Sequence, residues 1–233
     1  MIPSRRRQRR DPVLVSAHRC LTIEQVEHAL RLGVDYVEFD VQRCADGSLV
    51  LAHDPVAVAP PDATTYDEVL EVLAGRGRAH LDLKFHDGCV DAVAHAVDRL
   101  GTDRLVVTTL EDRSVTAIRA WSDVHAPALL VGLSLGRGVS GFPVLRQVRV
   151  RLSEFFPRVR YRHSRANVVV AHHWLARLTV ARFARNHGLP LLVWTVDTAP
   201  SLRHWTRTGR AWLVTTNNPD LALRLRRPER LSP

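Results

Sequence analysis

Eight short apolar runs, each followed by a stretch with helical spacing, recur from one end of this chain to the other. They fall at residues 13–17, 36–41, 79–83, 105–109, 128–133, 167–171, 191–195 and 212–215. Short Val- and Leu-rich runs, apolar on both faces, are the mark of strands buried in a parallel sheet. Helices are expected between and after them at 22–32, 65–73, 90–100, 112–121, 143–155, 175–186, 199–208 and 218–225. Several of their ends carry explicit signals. Thr22 and Gln25 have the spacing of a reciprocal cap, Asn218-Pro219-Asp220 sets a cap, a first-turn proline and an early acid in register, and Gly33 and Gly188 stand at stops. Eight strands alternating with eight helices predict a compact (β/α)8 barrel over residues 12–226, with little or no insertion subdomain. A doubly wound open sheet is the alternative, but no Gly-x-Gly-x-x-Gly follows the first strand.

No apolar run approaches the roughly 18–20 residues needed to cross a bilayer. The basic start, with Arg5, Arg6, Arg7, Arg9 and Arg10, leads into no apolar segment of secretory length, so the expected setting is the cytoplasm. Cys20, Cys44 and Cys89 lack the paired spacing of a zinc site and read as reduced thiols. The net charge of +9 is unevenly placed. Residues 1–10 hold +5 and the residues after Leu223 hold +3, leaving +1 for everything between. The excess therefore sits mainly in the termini, read as solvated ends, and residues 1–11, expected to be disordered, and the tail 227–233 are expected to lie outside the barrel. Those ends allow contact with an anionic membrane surface and argue against nucleic acid as the main partner.

Five fragments carry most of the chemistry: His18-Arg19, Glu38-Phe39-Asp40, His53-Asp54, Asp82-Leu83-Lys84 and Trp194-Thr195. In a barrel the loops after the strands build the site, and each fragment ends or follows a predicted strand. Strand alternation points Glu38 with Asp40, and Asp82 with Lys84, to one face. Lys84 is the only lysine among 33 basic residues. Three converging carboxylates, Glu38, Asp40 and Asp82, suit a hard divalent cation, Mg²⁺ or Ca²⁺. His18 and His53 can serve as general acid and base about a phosphate, while Arg19 and Lys84 neutralise its oxygens. Trp194 offers an apolar wall. His172 follows the sixth predicted strand near the mouth, where it either meets substrate or packs the loop. The glycine-rich segment 136–141 follows the fifth predicted strand on the same face, and its Arg137 is a candidate contact for an anionic substrate. Residues 158–165 precede the sixth predicted strand and fall at the opposite end of the barrel.

In their wider setting these residues resemble the glycerophosphodiester phosphodiesterase family. The similarity runs from Val15-Ser16-Ala17-His18-Arg19 to Val214-Thr215-Thr216-Asn217-Asn218-Pro219-Asp220 and is densest over 32–55, with Val193-Trp194-Thr195-Val196-Asp197 as a second match. The resemblance implies a (β/α)8 barrel, a divalent metal and paired histidines, carried here by His18, Arg19, Glu38, Asp40, His53 and Lys84. Asp82 stands where the family usually has a third metal-binding Glu. It also implies attack on phosphorus by the substrate's own glycerol hydroxyl, followed by opening of a cyclic phosphate. Three departures are visible. Cys20 replaces the usual Gly after His-Arg, the loop to Thr22 is short, and Asp82 is one methylene shorter than Glu.

The expected activity is therefore metal-dependent hydrolysis of a small glycerophosphodiester to an alcohol and glycerol 3-phosphate. The alternatives are hydrolysis of a lysophospholipid or other phosphodiester, a barrel that binds phosphorylated ligands without turnover, and nucleic-acid binding through the Arg-rich ends.

Overall fold

The computed structural model describes residues 11–136, 138, 141 and 143–226. The chain runs β1 (Leu14–Ala17), α1 (Ile23–Leu32), β2 (Tyr36–Arg43), β3 (Leu49–Leu51), α2 (Tyr66–Leu73), β4 (Ala79–Leu83), α3 (Cys89–Leu100), β5 (Leu105–Thr109) and α4 (Asp112–His125). It continues with β6 (Leu130–Leu135), α5 (Val144–Phe155), α6 (Arg158–Ser164), β7 (Val168–His172) and α7 (His173–Leu175), then a π-helical turn (Ala176–Val180) and α8 (Ala181–His187). β8 (Leu191–Trp194), α9 (Ala199–Trp205), β9 (Leu213–Thr216) and α10 (Pro219–Leu225) complete it. Every strand but β3 is parallel to its neighbours, and β1 pairs with both β9 and β2, so eight strands close into a ring. The (β/α)8 barrel expected from the sequence is the fold, and none of the eight barrel strands is displaced by more than two residues.

Strand alternation divides the buried side chains into two sets. One set, with Phe39, Leu81, Val107, Leu133 and Val193, faces the helices. The other fills the ring, and its character changes along the axis. Tyr36, Val106, Leu130, Val168, Leu192 and Leu213 form an apolar floor. One layer higher, the buried inward residues are Ser16, Glu38, His80, Thr108, Ser134 and Thr215. Gly132 is required in this packing, since a Cβ there would lie 2.4 Å from Cγ2 of Val170. The barrel is thus a solid apolar plug carrying a polar cup at the carboxyl ends of its strands.

The caps follow the sequence in part. Thr22 and Gln25 close a reciprocal capping box on α1, and Gly33 ends that helix at φ +73°. Asn218 does not cap α10 with its side chain. Its Nδ2 instead donates to the carbonyl of Asp197 at 3.0 Å, binding the β8 and β9 loops together.

Two elements differ from expectation. β3 is too short and too close to the Asp46-Gly47 turn to stand out as a strand, yet it pairs antiparallel with β2, Val41 opposite Leu51. Helical spacing predicts a single helix between β6 and β7, but there are two. α6 is the one that packs the wall: its buried Tyr161 donates to the carbonyl of Leu133 at 2.6 Å and accepts from the amide of Val170 at 3.2 Å. Tyr161 therefore stitches β6 to β7, and α5 is left as an extra helix outside that layer. Tyr161→Phe is expected to lower stability by about 1–3 kcal/mol in urea titrations, because the Val170 amide loses a buried acceptor. An unchanged midpoint would mean that another acceptor replaces it.

Candidate active site

The cup opens into a cavity of about 290 Å³ lined by His18, Arg19, Glu38, Asp40, His53, Asp82, Lys84 and Trp194, together with His80, Thr108, Ser134 and Thr215. Every fragment singled out in the sequence thus reaches one space. His172 does not line it. Its ring stands edge-on to Trp194 at 5.4 Å and against His173 at 4.3 Å, one layer behind. Burial, with the neighbouring His173 and Arg151, pushes its pKa down to about 4, so His172 is neutral packing for the indole. Arg137 lies outside the described residues.

The acids converge because of strand register. Asp40 stands opposite Asp82 across the β2–β4 pair, and Glu38 lies two residues deeper on β2. Oxygens of Glu38, Asp40 and Asp82 lie within 4.8 Å of one another. Burial, followed by the charges of Asp40 and Asp82, raises the Glu38 pKa well above the usual carboxylate range. Asp40 is also raised by burial, against the pull of Lys84. Lys84 is the internal counter-charge, with Nζ 2.5 Å from Asp82 Oδ2 and 2.8 Å from Asp40 Oδ1. Burial disfavours its ammonium, but the two aspartates more than offset this and its pKa is raised. Asp40 Oδ2 is buried with no hydrogen-bond donor; Arg19 Nε, at 3.7 Å, makes an ion pair with it only. Three carboxylates and an unserved buried oxygen form a donor set that fits a hard divalent cation.

Each histidine is oriented by a neighbour. His18 Nδ1 lies 2.9 Å from Asn217 Oδ1, and the Asn217 amide nitrogen donates to Asp197 Oδ2 at 2.7 Å. That second bond fixes which way the amide points. His18 must therefore carry its proton on Nδ1, leaving Nε2 with a free lone pair. Burial is the leading cause that lowers the His18 pKa. His53 is delivered by the β2–β3 hairpin, with its carbonyl held by Gln42 Nε2 at 3.1 Å. Its Nδ1 lies 2.9 Å from Asp54 Oδ1, and its Nε2 lies 2.5 Å from an Arg19 amino group.

Arg19 has a left-handed backbone, at φ +54°. This turn directs its amide to Glu38 Oε2 at 2.5 Å. Cys20, the next residue, does not carry the positive φ. Its thiol is buried and pushed up to about 12, by burial first and then by Glu38, which favours the protonated thiol. Cys20, Cys44 and Cys89 are all free thiols.

Sequence reasoning gave no role to the residues supporting Asp82. Thr108 Oγ1 donates to Asp82 Oδ1 at 2.7 Å, so His80 Nε2, at 3.1 Å, must donate to Thr108. Ser16 Oγ, 3.4 Å from His80 Nδ1, completes the chain. Burial pushes the His80 pKa down to about 4, keeping that ring neutral. The usable signal was parity: Ser16, His80 and Thr108 occupy inward positions one layer below the mouth. Asn217 and Asp197 lay within quoted motifs, and their place just beyond β9 and β8 was the clue.

Among the described residues no helix is long and apolar enough to cross a membrane. Residues 18–112 match the glycerophosphoryl diester phosphodiesterase family. No curated protein sequence matches the chain. Among solved structures, a glycerophosphodiester phosphodiesterase from Parabacteroides distasonis shares 18% identity at a TM-score of 0.71, over 93% of this chain and 97% of that one. A second, from Thermotoga maritima, shares 18% at 0.69, covering 93% and 99%. A phosphodiesterase from Oleispira antarctica, solved with the product sn-glycerol-3-phosphate, shares 17% at 0.68, covering 92% and 96%.

Proposed function

From a chain whose residues 18–112 carry the glycerophosphoryl diester phosphodiesterase domain on a closed (β/α)8 barrel, we propose a phosphodiesterase that hydrolyses small glycerophosphodiesters to an alcohol and glycerol 3-phosphate. The observation that carries this reading is one cavity holding two oriented histidines, three acids and two cations. A cytoplasmic place in glycerophosphodiester turnover agrees with three unpaired cysteines.

Glu38, Asp40 and Asp82 would hold a divalent cation, Mg²⁺ or Ca²⁺. When bound, such an ion polarises phosphoryl and hydroxyl oxygens. The remaining work belongs to the chain. His18 Nε2 takes the proton of the glycerol 2-hydroxyl as that oxygen bonds to phosphorus. His53, protonated on Nε2 when the Arg19 amino group leaves it for a phosphate oxygen, gives that proton to the departing alcohol oxygen as its bond to phosphorus breaks. Water then opens the cyclic phosphate with the roles reversed: His53 removes the water proton and His18 returns one to the glycerol oxygen. The Asn217–Asp197 pair supports His18 as the first base, because it holds Nδ1 protonated. Arg19 and Lys84 neutralise charge growing on the phosphate oxygens. The Trp194 indole walls the glycerol. His172 backs that indole. Arg137 is proposed as a rim contact for anionic substrates, to be checked by Arg137→Ala.

The direct test is release of glycerol 3-phosphate from glycerophosphocholine and glycerophosphoethanolamine with Mg²⁺, Ca²⁺ or EDTA. Metal-dependent release that EDTA abolishes is expected. No release under any metal would remove this reading and leave a barrel that binds phosphorylated ligands without turnover.

A further inference from the structure

Helix α5 is built inside out. Of its 12 residues the single fully buried one is Glu154. Val144, Leu145, Val148 and Leu152 are 76, 83, 50 and 55% exposed, and Phe156 just beyond the helix is 72% exposed. At 3.6 residues per turn the first four share an arc of about 100° on one side of the helix. An ordinary barrel helix turns such a row toward the strands. α5 is free to do otherwise because Tyr161 and α6 already fill the wall between β6 and β7.

Its attachment places it at the catalytic rim. Glu154 Oε1 accepts from the amide of Gly136, a cavity-lining residue just past β6, at 2.8 Å, and Glu154 Oε2 pairs with Arg151 at 2.7 Å. The Trp174 ring, which follows the carboxyl end of β7, meets Phe155 at 5.9 Å and the Arg151 guanidinium at 5.5 Å. The anchored side of the helix is thus bound to the mouth, and the apolar row faces outward beside it.

The exposed charge on α5 and α6 has one sign. Arg149 borders the row on α5, and Arg158 and Arg162 stand exposed on α6 next to exposed Val159; Arg160 of that helix bonds to Asp112 and to the Leu110 carbonyl just past β5, so α6 starts at the catalytic end and not at the opposite end expected for residues 158–165. Glu154 is the only acid from Val144 to Ser164, and it is buried. An apolar strip edged by arginines fits the interface of an anionic bilayer, where the strip enters the acyl boundary and the guanidiniums meet phosphates. A second copy of this chain fits less well, since a two-fold contact would set arginine against arginine.

We propose that α5 docks the mouth of the barrel on anionic lipid surfaces. The proposal is independent of whether the site turns over glycerophosphodiesters, because its readout is binding alone.

The experiment is sedimentation of the full chain with vesicles of phosphatidylcholine, with and without phosphatidylglycerol. Binding is expected to the anionic vesicles, to weaken with salt, and to fall by roughly tenfold or more when the apolar strip is removed in Leu145→Ser/Leu152→Ser/Phe156→Ser. Arg149→Gln/Arg158→Gln/Arg162→Gln should weaken binding and flatten its salt dependence. All six positions are exposed and none takes part in the anchoring contacts, so an unchanged Tm is expected and shows that the variants fold. Binding that survives the apolar variant, equal binding to neutral vesicles, or no binding at all overturns the proposal. So does binding lost only when Arg5, Arg6, Arg7, Arg9 and Arg10 are changed to Gln. A dimer in solution that the apolar variant dissociates would assign the strip to a second copy instead.

Discussion

His18→Ala is expected to lower kcat for glycerophosphocholine hydrolysis by roughly 10²–10⁴-fold, the usual worth of a positioned acid–base group. KM should change much less, because Arg19, Lys84 and the acids still face the phosphate. The reasoning rests on the fixed tautomer: Asn217 receives the Nδ1 proton, and Asp197 prevents the amide from flipping. Alanine removes the lone pair aimed at the substrate while leaving the layers beneath it intact. Initial rates of glycerol 3-phosphate release, with the melting temperature measured alongside, provide the check. A variant that keeps wild-type kcat would take His18 out of the chemistry.

Phe39→Ala is expected to be the most damaging of the single changes for stability, at about 3–5 kcal/mol. Phe39 is fully buried and sits between two inward acids on β2, so alternation sends its ring outward into the layer shared with the helices. Truncation removes apolar contact and leaves a cavity that close-packed neighbours fill only in part. With 5–15 kcal/mol typical of a domain's whole stability, the urea midpoint should drop steeply. A loss below about 1 kcal/mol would show that this layer collapses around the gap and that the position is not the keystone its burial implies.

These two residues, one apart from each other in kind but joined by the same barrel, show what could be read from the sequence. The strands were legible because both faces are buried and apolar, so position along the chain was enough. The acids were legible because two-residue spacing at a strand end has one geometric meaning. β3 escaped because three residues beside a turn carry no period. α6 escaped because only Tyr161 and Ser164 of its seven residues are buried and the rest are arginine, valine and histidine. The supports Asn217, Thr108 and Ser16 were hidden for another reason. Amides and hydroxyls are common at loop and strand positions, and their roles appear only once partners from distant strands stand beside them. Asn218 was misread the same way: its sequence promises a helix cap, and its side chain serves the neighbouring loop.

The clamped Lys84 has a practical consequence. It is the only lysine in the chain, and its amine lies between two carboxylates at the bottom of the mouth. Side-chain amine chemistry therefore has a single address on this protein. An isotope-labelled methyl group placed on that nitrogen would give a spectrum with one lysine resonance. That resonance would report directly on what occupies the cup.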